Sequence, residues 1–575
     1  MSNNSSQPSW RNILNYGLIG SVITLYLAVI GMVEAFASRY LIGTYISMGQ
    51  IFFITGAIVS GILAARAFRD KSTLSAVGAS LAAGMISSLT SLLLVLFIQV
   101  FVIPQAGKDV LFNVRNMFVN FSPGLVEILT FGLGPALGSL ALVIISGGLG
   151  MIGSVFMLLP SRWRNALISG VAWTLGIGIF SENVAQIVQE IIGRGLVRIL
   201  FQNKSLNPTA AVVIFVVAFL VGYFRVHRQA GNQWGKLSPA QQKQGRFIGI
   251  VLLIAFILAL PWMIGLFLSQ ALFIVGYFIM MGLGLNIVVG YAGLLDLGYV
   301  AFFAFGAYTM GVLTSQGPLG VSNANFWIAL PISVLVGVIW GLLLGFPVLG
   351  MRGDYLAIVT LGFGEIIRIL ALSDWLAPLQ GGAQGVLHIP PPNLFGIQLN
   401  TPQSMYYLVV FGSLLAAFVT IRLRESRLGR QWMAMREDED VAEAMGINLV
   451  ETKLLAFAIG AAFSAAAGAI FAARLSTIFP HSFNLLISIN ALALIIVGGL
   501  GSIPGVIVGG LILVGLPELL REFTEYRLLM YGILLIVMML VRPEGFLPEA
   551  TRKRELHAGE ENYIEPQAAA SEMEG

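Results

Sequence analysis

The sequence contains no cysteine, only four histidines, and few charged residues, which make up 10% of its 575 positions. The lack of cysteine excludes disulfides, catalytic thiolates and cysteine-ligated metals. The four histidines are scattered and form no ligand cluster, so we predict no metal site. Soluble proteins carry about 25% charged residues. A chain this poor in charge and 57% hydrophobic is therefore not an ordinary soluble domain.

Motifs for chemistry on phosphates or acyl groups are also missing. The phosphate-binding pattern G-x-x-x-x-G-K-[ST] does not occur in the chain, and neither does the nucleophile elbow G-x-S-x-G. We therefore expect no enzymatic activity and no cofactor bound by this chain. The formal net charge of +4 indicates basic residues on cytoplasmic loops rather than binding to nucleic acid.

Long apolar runs dominate what is present. Ile13–Val33, Leu81–Ile103 and Phe247–Phe267 each reach the roughly 20 residues that cross a bilayer. Because lipid accepts only helices or closed barrels, and these runs do not alternate, the sequence predicts an all-α polytopic membrane protein. Ala35-Phe36-Ala37 resembles a signal-peptide cleavage site, but the preceding run is longer than a usual signal core, which favours a retained first span.

Basic residues set the expected topology, since Lys and Arg collect on the cytoplasmic side. Placing every basic cluster except Arg39 inside requires an even number of crossings between neighbouring clusters. This predicts about six extra N-terminal spans, a C-terminal core of about 8–10 spans, and two cytoplasmic termini. The first twelve spans are expected near residues 12–38, 45–65, 74–103, 133–160, 166–181, 209–224, 247–268, 271–290, 297–315, 326–349, 355–373 and 404–421.

The polar stretch 226–246 is the clearest linker, because it contains Gly231, Gly235 and Pro239. It separates an N-terminal transmembrane module of unassigned role, residues 1–225, from a second membrane module, residues 247–548. Residues 549–575 are polar and are predicted to form a disordered cytoplasmic tail. Two amphipathic outer stretches, Gln105–Thr130 and Ser181–Ser205, are expected to lie on the membrane surface or to act as lids.

One charged segment interrupts the apolar sequence. Five charged residues run from Arg436 to Asp440, and Gly446 follows shortly after. Acidic residues favour the start of a helix, and glycine favours the left-handed position after its end. Val441 and Met445 are spaced to form one small apolar face. The pattern predicts a short capped helix at the membrane surface, which is either a solvated connector or a helix that docks into a groove of a soluble partner.

The segment Arg436–Ala472, which begins REDEDVAEAMGIN, resembles permease subunits of branched-chain amino acid ABC importers of the LivM type. Within it, Ala442–Asn448 is similar to the EAA loop of ABC importer permeases, with Ala444 or Met445 in the third position of the triplet. Other segments resemble the same family in the same order, namely Gly282–Thr309, Met351–Leu370, Val497–Gly510 and Arg542–Phe546. The resemblance extends over residues 247–548 and does not include residues 1–245.

The resemblance implies a role for the charged segment and a set of partners. In that family the loop sits in a cleft of the ATP-hydrolysing subunit. The implied partners are two cytoplasmic ATPase subunits that bind ATP and Mg, a second permease subunit, an extracytoplasmic substrate-binding protein, and the lipid of a bacterial inner membrane. The residues of the implied ATPase-coupling loop are Arg436, Glu437, Asp438, Ala442, Glu443, Ala444 and Gly446.

Polar residues within predicted spans are candidates for the translocation path. Glu365 and Arg368 are three residues apart near the middle of a span, where charge is costly, so we expect them to pair. They either line a polar pathway or form a buried pair that fixes helix packing. Asp296 follows a break in the helical pattern and is either a substrate contact or part of a cytoplasmic turn. The candidate path is completed by Thr360 and Tyr299.

Glycines mark expected breaks and close contacts between helices. Gly290 and Gly293 interrupt the second and third core runs, and Gly499, Gly501 and Gly505 crowd another short region. Small residues permit close helix packing. A broken or re-entrant pair of helices is the alternative in the second region.

These observations favour a permease for branched-chain or other neutral amino acids. A urea or amide importer permease is the alternative with the same mechanism. A membrane scaffold or an ion-driven secondary transporter is the alternative from another class. The short cytoplasmic loops of residues 1–225, such as Arg66–Lys71 and Ser161–Arg164, leave no room for a coupling helix. We therefore expect the second permease to be a separate chain.

Overall fold

A computed structural model describes residues 10–69, 72–102, 121–225, 239–351, 353–519, 526–542 and 544–548. Within these ranges, ten helices are long and apolar enough to cross a membrane, and one bent helix pair qualifies when its two parts are taken together. Four shorter apolar helices accompany them. The chain is therefore an all-α polytopic membrane protein, as the sequence predicts. It divides into two compact units, residues 1–251 and 252–575.

The first unit is built from helices whose small residues allow close approach. A side chain at Gly61 or Gly84 would collide with the backbone of the helix that carries Gly150. Such contacts promote association in lipid, where burial of apolar surface gives little driving force. The helices are α1 (Trp10–Val29), α2 (Met32–Ala35), α3 (Met48–Phe68), α4 (Thr73–Ser87), α5 (Leu89–Phe97), α6 (Pro123–Leu129), α7 (Pro135–Leu158), α8 (Ser161–Ile179), α9 (Ser181–Ile191), α10 (Arg194–Leu200) and α11 (Pro208–Arg225).

A small sheet, which the sequence analysis did not predict, lies in this unit. Its strands are β1 (Tyr40–Ile42), β2 (Ile46–Ser47), β3 (Phe201–Gln202) and β4 (Ser205–Leu206), in the order β2-β1-β4-β3. Both outer pairs are antiparallel hairpins, and β1 pairs with β4 in parallel through Ile42 and Leu206. Asn203 and Lys204 both adopt positive φ angles in the turn between β3 and β4, a conformation that suits a tight two-residue hairpin.

The second unit contains the remaining helices and one further hairpin. Its helices are α12 (Pro239–Leu285, which begins before the unit boundary), α13 (Val300–Thr314), α14 (Phe326–Val348), α15 (Asp354–Leu372), α16 (Ala377–Gln380), α17 (Pro402–Glu425), α18 (Arg427–Glu437), α19 (Glu439–Ala444), α20 (Leu449–Leu475), α21 (Leu485–Gly498), α22 (Ile503–Gly510), α23 (Leu516–Leu519) and α24 (Arg527–Val541). The hairpin consists of β5 (Asn393–Leu394) and β6 (Ile397–Gln398).

Helix α20 forms the centre of the second unit. Buried residues make up 61% of its apolar stretch, the highest share among the ten long spans. Its sequence AIGAAFSAAAGAIFAA is rich in alanine, so neighbouring helices can approach its backbone. A β-carbon placed at Gly341 of α14 would lie 2.8 Å from the β-carbon of Ala461, and one at Gly306 of α13 would overlap the backbone of Ala465.

Several predicted boundaries differ from the structure. The two spans expected at 247–268 and 271–290 lie in one helical element, α12, which is interrupted at Gly265 by a non-helical φ of 76°. The predicted linker extends to residue 246, but the helix begins at Pro239, where a proline suits the first turn. The expected span 166–181 is followed by α9 after a bend of 84°. Residues 226–238 of the linker, 105–120 of the first outer stretch and the whole tail lie outside the described residues.

Candidate functional site

The charged segment forms the capped helix that the sequence predicts. The Asp438 carboxylate accepts hydrogen bonds from the amides of Asp440 and Val441 at 2.9 and 3.0 Å, which satisfies donors at the start of α19. Gly446 follows the helix with a φ of 89°. Its amide and that of Ile447 close the last turn on the carbonyls of Glu443 and Ala442. The ends of this six-residue helix are therefore fixed by its own sequence.

The two faces of α19 differ in what they contact. Ala442 is buried, and the Glu439 carboxylate forms an ion pair of 2.8 Å with Lys453 of α20, both side chains being largely buried. The same ammonium group donates to the carbonyl of Leu349 at 3.3 Å. On the outer face, Val441 is 58% exposed and Met445 is 79% exposed. Glu437, Glu443 and Ala444 are also exposed. The helix is thus anchored on one side and presents an apolar patch framed by acids on the other.

The Arg436 side chain does not join this exposed patch but contacts the backbone at Gly290 and Gly293. Its Nη1 donates a hydrogen bond of 2.7 Å to the carbonyl of Gly290. Gly293 lies against the same side chain with a φ of 73°. Glu437 lies 3.4 Å from the Arg436 guanidinium. Sequence reasoning placed Arg436 in the coupling loop but did not predict that it reaches back to the break at Gly290 and Gly293.

The predicted break between the second and third core runs is present. Helix α12 continues into a π-helical turn, Asn286–Tyr291, and the chain then runs without regular structure to Tyr299. Asn286 is fully buried, and its Oδ1 accepts a hydrogen bond of 2.9 Å from the amide of Gly501. The sequence analysis overlooked this residue. A lone amide in a long apolar run is costly in a membrane, and that signal could have found it.

Asp296 lies in the loop between these two helices and is fully buried rather than part of a solvated turn. The amide of Gly298 donates to its Oδ1 at 2.9 Å, whereas its Oδ2 has no hydrogen-bond partner within the described part of the chain. Burial raises the pKa of Asp296 to about 7, against the smaller opposing effect of the Gly298 amide. Burial in this loop therefore favours the protonated, uncharged form of the carboxyl group.

Thr360 and Tyr299 hold the loop against its neighbours. The Thr360 Oγ1 of α15 accepts a hydrogen bond of 3.0 Å from the amide of Leu297. The Tyr299 hydroxyl donates to the carbonyl of Gly460 in α20 at 2.7 Å, and Ser464 donates to the Tyr299 carbonyl at 3.2 Å. Both residues are buried. Their polar atoms thus fasten the loop to α15 and α20.

Glu365 and Arg368 form the ion pair that their spacing predicts. Nε of Arg368 lies 3.0 Å from both carboxylate oxygens, and Nη2 also contacts Oε1. Both side chains are partly buried, with Glu365 44% exposed and Arg368 27% exposed on this chain, so the pathway role and the packing role both stay predictions. Arg368 borders a narrow, mainly apolar pocket, whose other walls include Val300, Tyr308, Gly364, Ile367 and Phe483. The pocket has room for only about 10 Å³, about one water molecule, and the Arg368 guanidinium at its edge is paired with Glu365.

The second glycine region is a broken helix pair with close internal contacts. Gly499 and Gly501 have φ angles of 120° and 81° between α21 and α22. A β-carbon at Gly505 would overlap the carbonyl of Gly498, and it would also lie 3.0 Å from the β-carbon of Ser502. The RPEGF motif completes this region, because the amide of Phe546 donates to the carbonyl of Val497 at 2.9 Å. The glycines therefore serve both as a break and as a packing contact.

The site residues fall into one connected group and one separate pair. The coupling loop, the break at Gly290 and Gly293, Asp296, Tyr299, Thr360 and the glycines near Gly501 are linked by the hydrogen bonds and contacts described above. Glu365 and Arg368 lie further along α15, where both side chains are partly buried. Among the described residues, no group of three or more His, Asp or Glu side chains is placed to hold a metal ion.

Comparison with known proteins gives consistent matches to one family. The family model described as "Branched-chain amino acid transport system / permease component" matches residues 267–541. LivM, a high-affinity branched-chain amino acid transport system permease protein of Salmonella typhimurium (strain LT2), is 40% identical over 341 residues, which are 55% of this chain and 78% of LivM. LivH of Escherichia coli (strain K12) is 38% identical over 156 residues, covering 27% of this chain and 49% of LivH.

A more distant relative matches over most of its length. The probable branched-chain amino acid transport permease LivM of Methanocaldococcus jannaschii is 22% identical over 328 residues, which are 49% of this chain and 93% of that protein. No solved structure matches the chain significantly. The identity to the Salmonella LivM, over more than two thirds of that protein, is sufficient to assign the family. The chain belongs to the LivM-type permeases of branched-chain amino acid ABC transport systems.

Proposed function

We propose that this chain is the transmembrane permease subunit of a binding-protein-dependent ABC importer in a bacterial inner membrane. It would carry branched-chain or other neutral amino acids into the cytoplasm. Two separate cytoplasmic subunits would bind ATP and Mg and hydrolyse the nucleotide. A second permease subunit and an extracytoplasmic binding protein would complete the complex. Membership in the LivM-type family supports this proposal.

The observation that carries the proposal is the geometry of α19. Its ends are capped, its inner face is anchored by Ala442 and by the ion pair of Glu439 with Lys453, and its outer face exposes Val441 and Met445. An amphipathic helix presented in this way can lay its apolar residues into a groove on a partner. A scaffold or a transporter driven by an ion gradient does not require a helix that docks on ATPase subunits.

The substrate class is supported by the relatives, which are named as branched-chain amino acid transport permeases. A branched-chain amino acid is a small molecule that has a hydrocarbon side chain and a carboxylate. One methylene group changes binding by only about 1–3 kcal/mol, so neighbouring neutral amino acids are expected to compete. Urea, which has neither feature, is the substrate of the rival proposal.

The test is uptake by the complete complex in proteoliposomes. Labelled leucine, alanine and urea are each supplied with the binding protein, with ATP inside, and with either active or catalytically disabled ATPase subunits. We expect leucine or alanine to enter only with active ATPase. Uptake of urea alone would keep the mechanism and replace the substrate. Uptake that continues with the disabled ATPase, or no uptake of any of the three, would refute the proposal.

A further inference from the structure

Arg436 connects two elements that the sequence separates widely. It lies in the last turn of α18, immediately before α19, and its Nη1 donates to the carbonyl of Gly290 across 146 positions of sequence. Gly290 belongs to the π-helical turn that ends α12. Carbonyls at the end of a helix lack partners within the helix and carry partial negative charge, so a guanidinium is a favourable cap. This cap comes from Arg436 in α18 and not from residues close to Gly290 in the sequence.

Gly293 provides the space that this contact needs. Its φ of 73° is a conformation that favours glycine. A β-carbon built on Gly293 would lie 2.7 Å from Cγ of Arg436 and 3.3 Å from its Cβ. The arginine stem therefore passes directly over the backbone at Gly293. Any larger residue would displace the stem and strain the turn, so the position is restricted for two independent reasons.

The surroundings make the contact part of one packed body. We call the π-helical turn Asn286–Tyr291 the broken end of α12. Its residues Ile287, Val288 and Tyr291 share a buried apolar cluster with Trp432 and Met435 of α18 and with Ala442 of α19. The Trp432 indole also donates to the carbonyl of Thr452 at 2.9 Å. A hydrogen bond beside such a cluster is electrostatically stronger than one in water, because the local dielectric is low.

The broken end is in turn attached to the rest of the membrane core. The Asn286 side chain accepts a hydrogen bond from the amide of Gly501. In the loop that follows the broken end, the amide of Leu297 donates a hydrogen bond to Thr360 of α15. A displacement of the broken end must therefore disturb both α15 and the loop between α21 and α22. Contiguity alone does not establish coupling, so the link has to be tested by its effect on transport.

We propose that Arg436 is a positioning residue. From the end of α18 it connects α19, the coupling helix, to the broken end of α12, so that the two move together when the ATPase subunits move. The inference rests on the proposed function and deepens it. It assigns Arg436 an inward mechanical role, whereas the exposed residues of α19 meet the partner. Loss of this tie should leave ATPase binding and ATP hydrolysis in place and should reduce their effect on uptake.

The first test compares Arg436→Met, Arg436→Lys and the control Arg430→Met in the complete complex. Methionine keeps most of the stem and removes the donor. Lysine retains a donor for Gly290. Arg430 lies on the same helix and is exposed, with its guanidinium on the nearby carbonyl of Glu425. Uptake, ATP hydrolysis and co-purification of the ATPase subunits are measured for each variant.

We expect uptake per ATP hydrolysed to fall by about tenfold or more in Arg436→Met, the range for loss of one charge-assisted hydrogen bond. Arg436→Lys should recover part of the loss, and Arg430→Met should behave as the unchanged protein. Wild-type coupling in Arg436→Met would overturn the inference. So would loss of the ATPase subunits, which would place Arg436 in the docking surface. Absence of ATP-linked uptake in the unchanged complex would instead refute the proposed function.

The second test replaces the hydrogen bond by a covalent bond. The chain has no cysteine, so the double variant Gly293→Cys/Arg436→Cys introduces the only pair, and the 3.3 Å between the two β-carbon positions is close to the disulfide range of about 3.5–4.5 Å. A side chain at residue 293 strains the turn in both forms, so the comparison is made within this variant, and we expect oxidation to restore coupling relative to the reduced form. Failure to cross-link, or uptake that is unchanged or lower after oxidation, would show that the segments do not move as one.

Discussion

Asp296 is a buried carboxyl group whose Oδ2 has no hydrogen-bond partner among the described residues, and burying such a group is costly when it is ionised. Its pKa of about 7 exceeds the ordinary value of 3.8 because of burial. Between these two pH values the folded protein binds more protons at this residue than the unfolded chain does. The contribution of Asp296 to stability is therefore largest below pH 4 and declines as the pH rises towards 7.

Asp296→Asn is expected to flatten this part of the pH profile. The amide does not titrate, and its Oδ1 can still accept the hydrogen bond from Gly298. The difference should reach a few kcal/mol near pH 7. The measurement is the Tm of the purified protein in detergent between pH 4 and pH 8, with Asp354→Asn at the exposed start of α15 as the control. An unchanged slope in Asp296→Asn would contradict the assignment.

The Glu439–Lys453 pair illustrates how burial changes the importance of an ion pair. The Lys453 and Glu439 side chains are only 4% and 18% exposed, whereas Lys204 and Glu182 of the first unit form a pair of similar length at 80% and 39% exposure. Removing one partner of a buried pair leaves an uncompensated charge and costs about 3–5 kcal/mol. Exposed pairs contribute about 0–1 kcal/mol.

Lys453→Met should therefore lower the Tm clearly, while Lys204→Met should change it little. The double variant Glu439→Gln/Lys453→Met should recover much of the loss, because no unpaired charge remains. Thermal unfolding followed by loss of soluble monomer in detergent measures all three. Equal effects of Lys453→Met and Lys204→Met would mean that α19 is not anchored by this pair.

At the scale of elements, broken helices define the second unit. Both α12 and α22 continue into π-helical turns, Asn286–Tyr291 and Leu511–Gly515. The first broken end touches the loop between α21 and α22 through Asn286 and Gly501. Non-helical backbone at membrane depth is tolerated where protein surrounds it. The buried side-chain oxygen of Asn286 and the backbone amide of Gly501 satisfy one another in this way.

Gly505→Ala tests the close contact beside this loop. The added methyl group would overlap the backbone carbonyl of Gly498, which cannot rotate away as a flexible side chain can. We expect a loss of about 1–3 kcal/mol from overpacking. Gly362→Ala in α15 is the matched control, since its methyl group would meet nothing within 4 Å. The Tm of each variant decides the point, and an unaffected Gly505→Ala would contradict the packing described.

What could be predicted from the sequence depends on how local its causes are. The capped helix α19 follows from Asp438 at one end and Gly446 at the other, so a few neighbouring residues suffice. The pairing of Glu365 with Arg368 follows from helical spacing. By contrast, the contact of Arg436 with Gly290 and that of Asn286 with Gly501 depend on three-dimensional packing across 146 and 215 positions. The small sheet escaped prediction because its strands have only two or three residues.

At the scale of the whole molecule, α19, the proposed coupling helix, belongs to the second unit. In the first unit, α7 ends at Leu158 and α8 begins at Ser161, which leaves no room for a docking helix between them. The family match begins at residue 267. Residues 1–225 therefore remain an N-terminal module of unassigned role, and the expectation of a separate second permease stands as a prediction.

Purification of the tagged chain from its native membrane in mild detergent checks this prediction. We expect a second polypeptide of the same permease class to co-purify, because the proposed complex has two ATPase subunits and this chain carries only one helix of the α19 kind among its described residues. Mass spectrometry of the intact complex gives the subunits and their ratio. A complex that transports with this chain as its only permease would contradict the prediction.

The parallel pairing in the small sheet has a consequence for biosynthesis. The carbonyl of Gly43 accepts a hydrogen bond from Ser205, 162 positions later, and the Gly43 amide donates to the carbonyl of Leu206. The hairpin at residues 40–47 thus keeps an open edge until residue 206 has left the ribosome. Closing so large a loop is slow compared with forming local contacts. The sheet can therefore be completed only after the last part of its own unit has been synthesised.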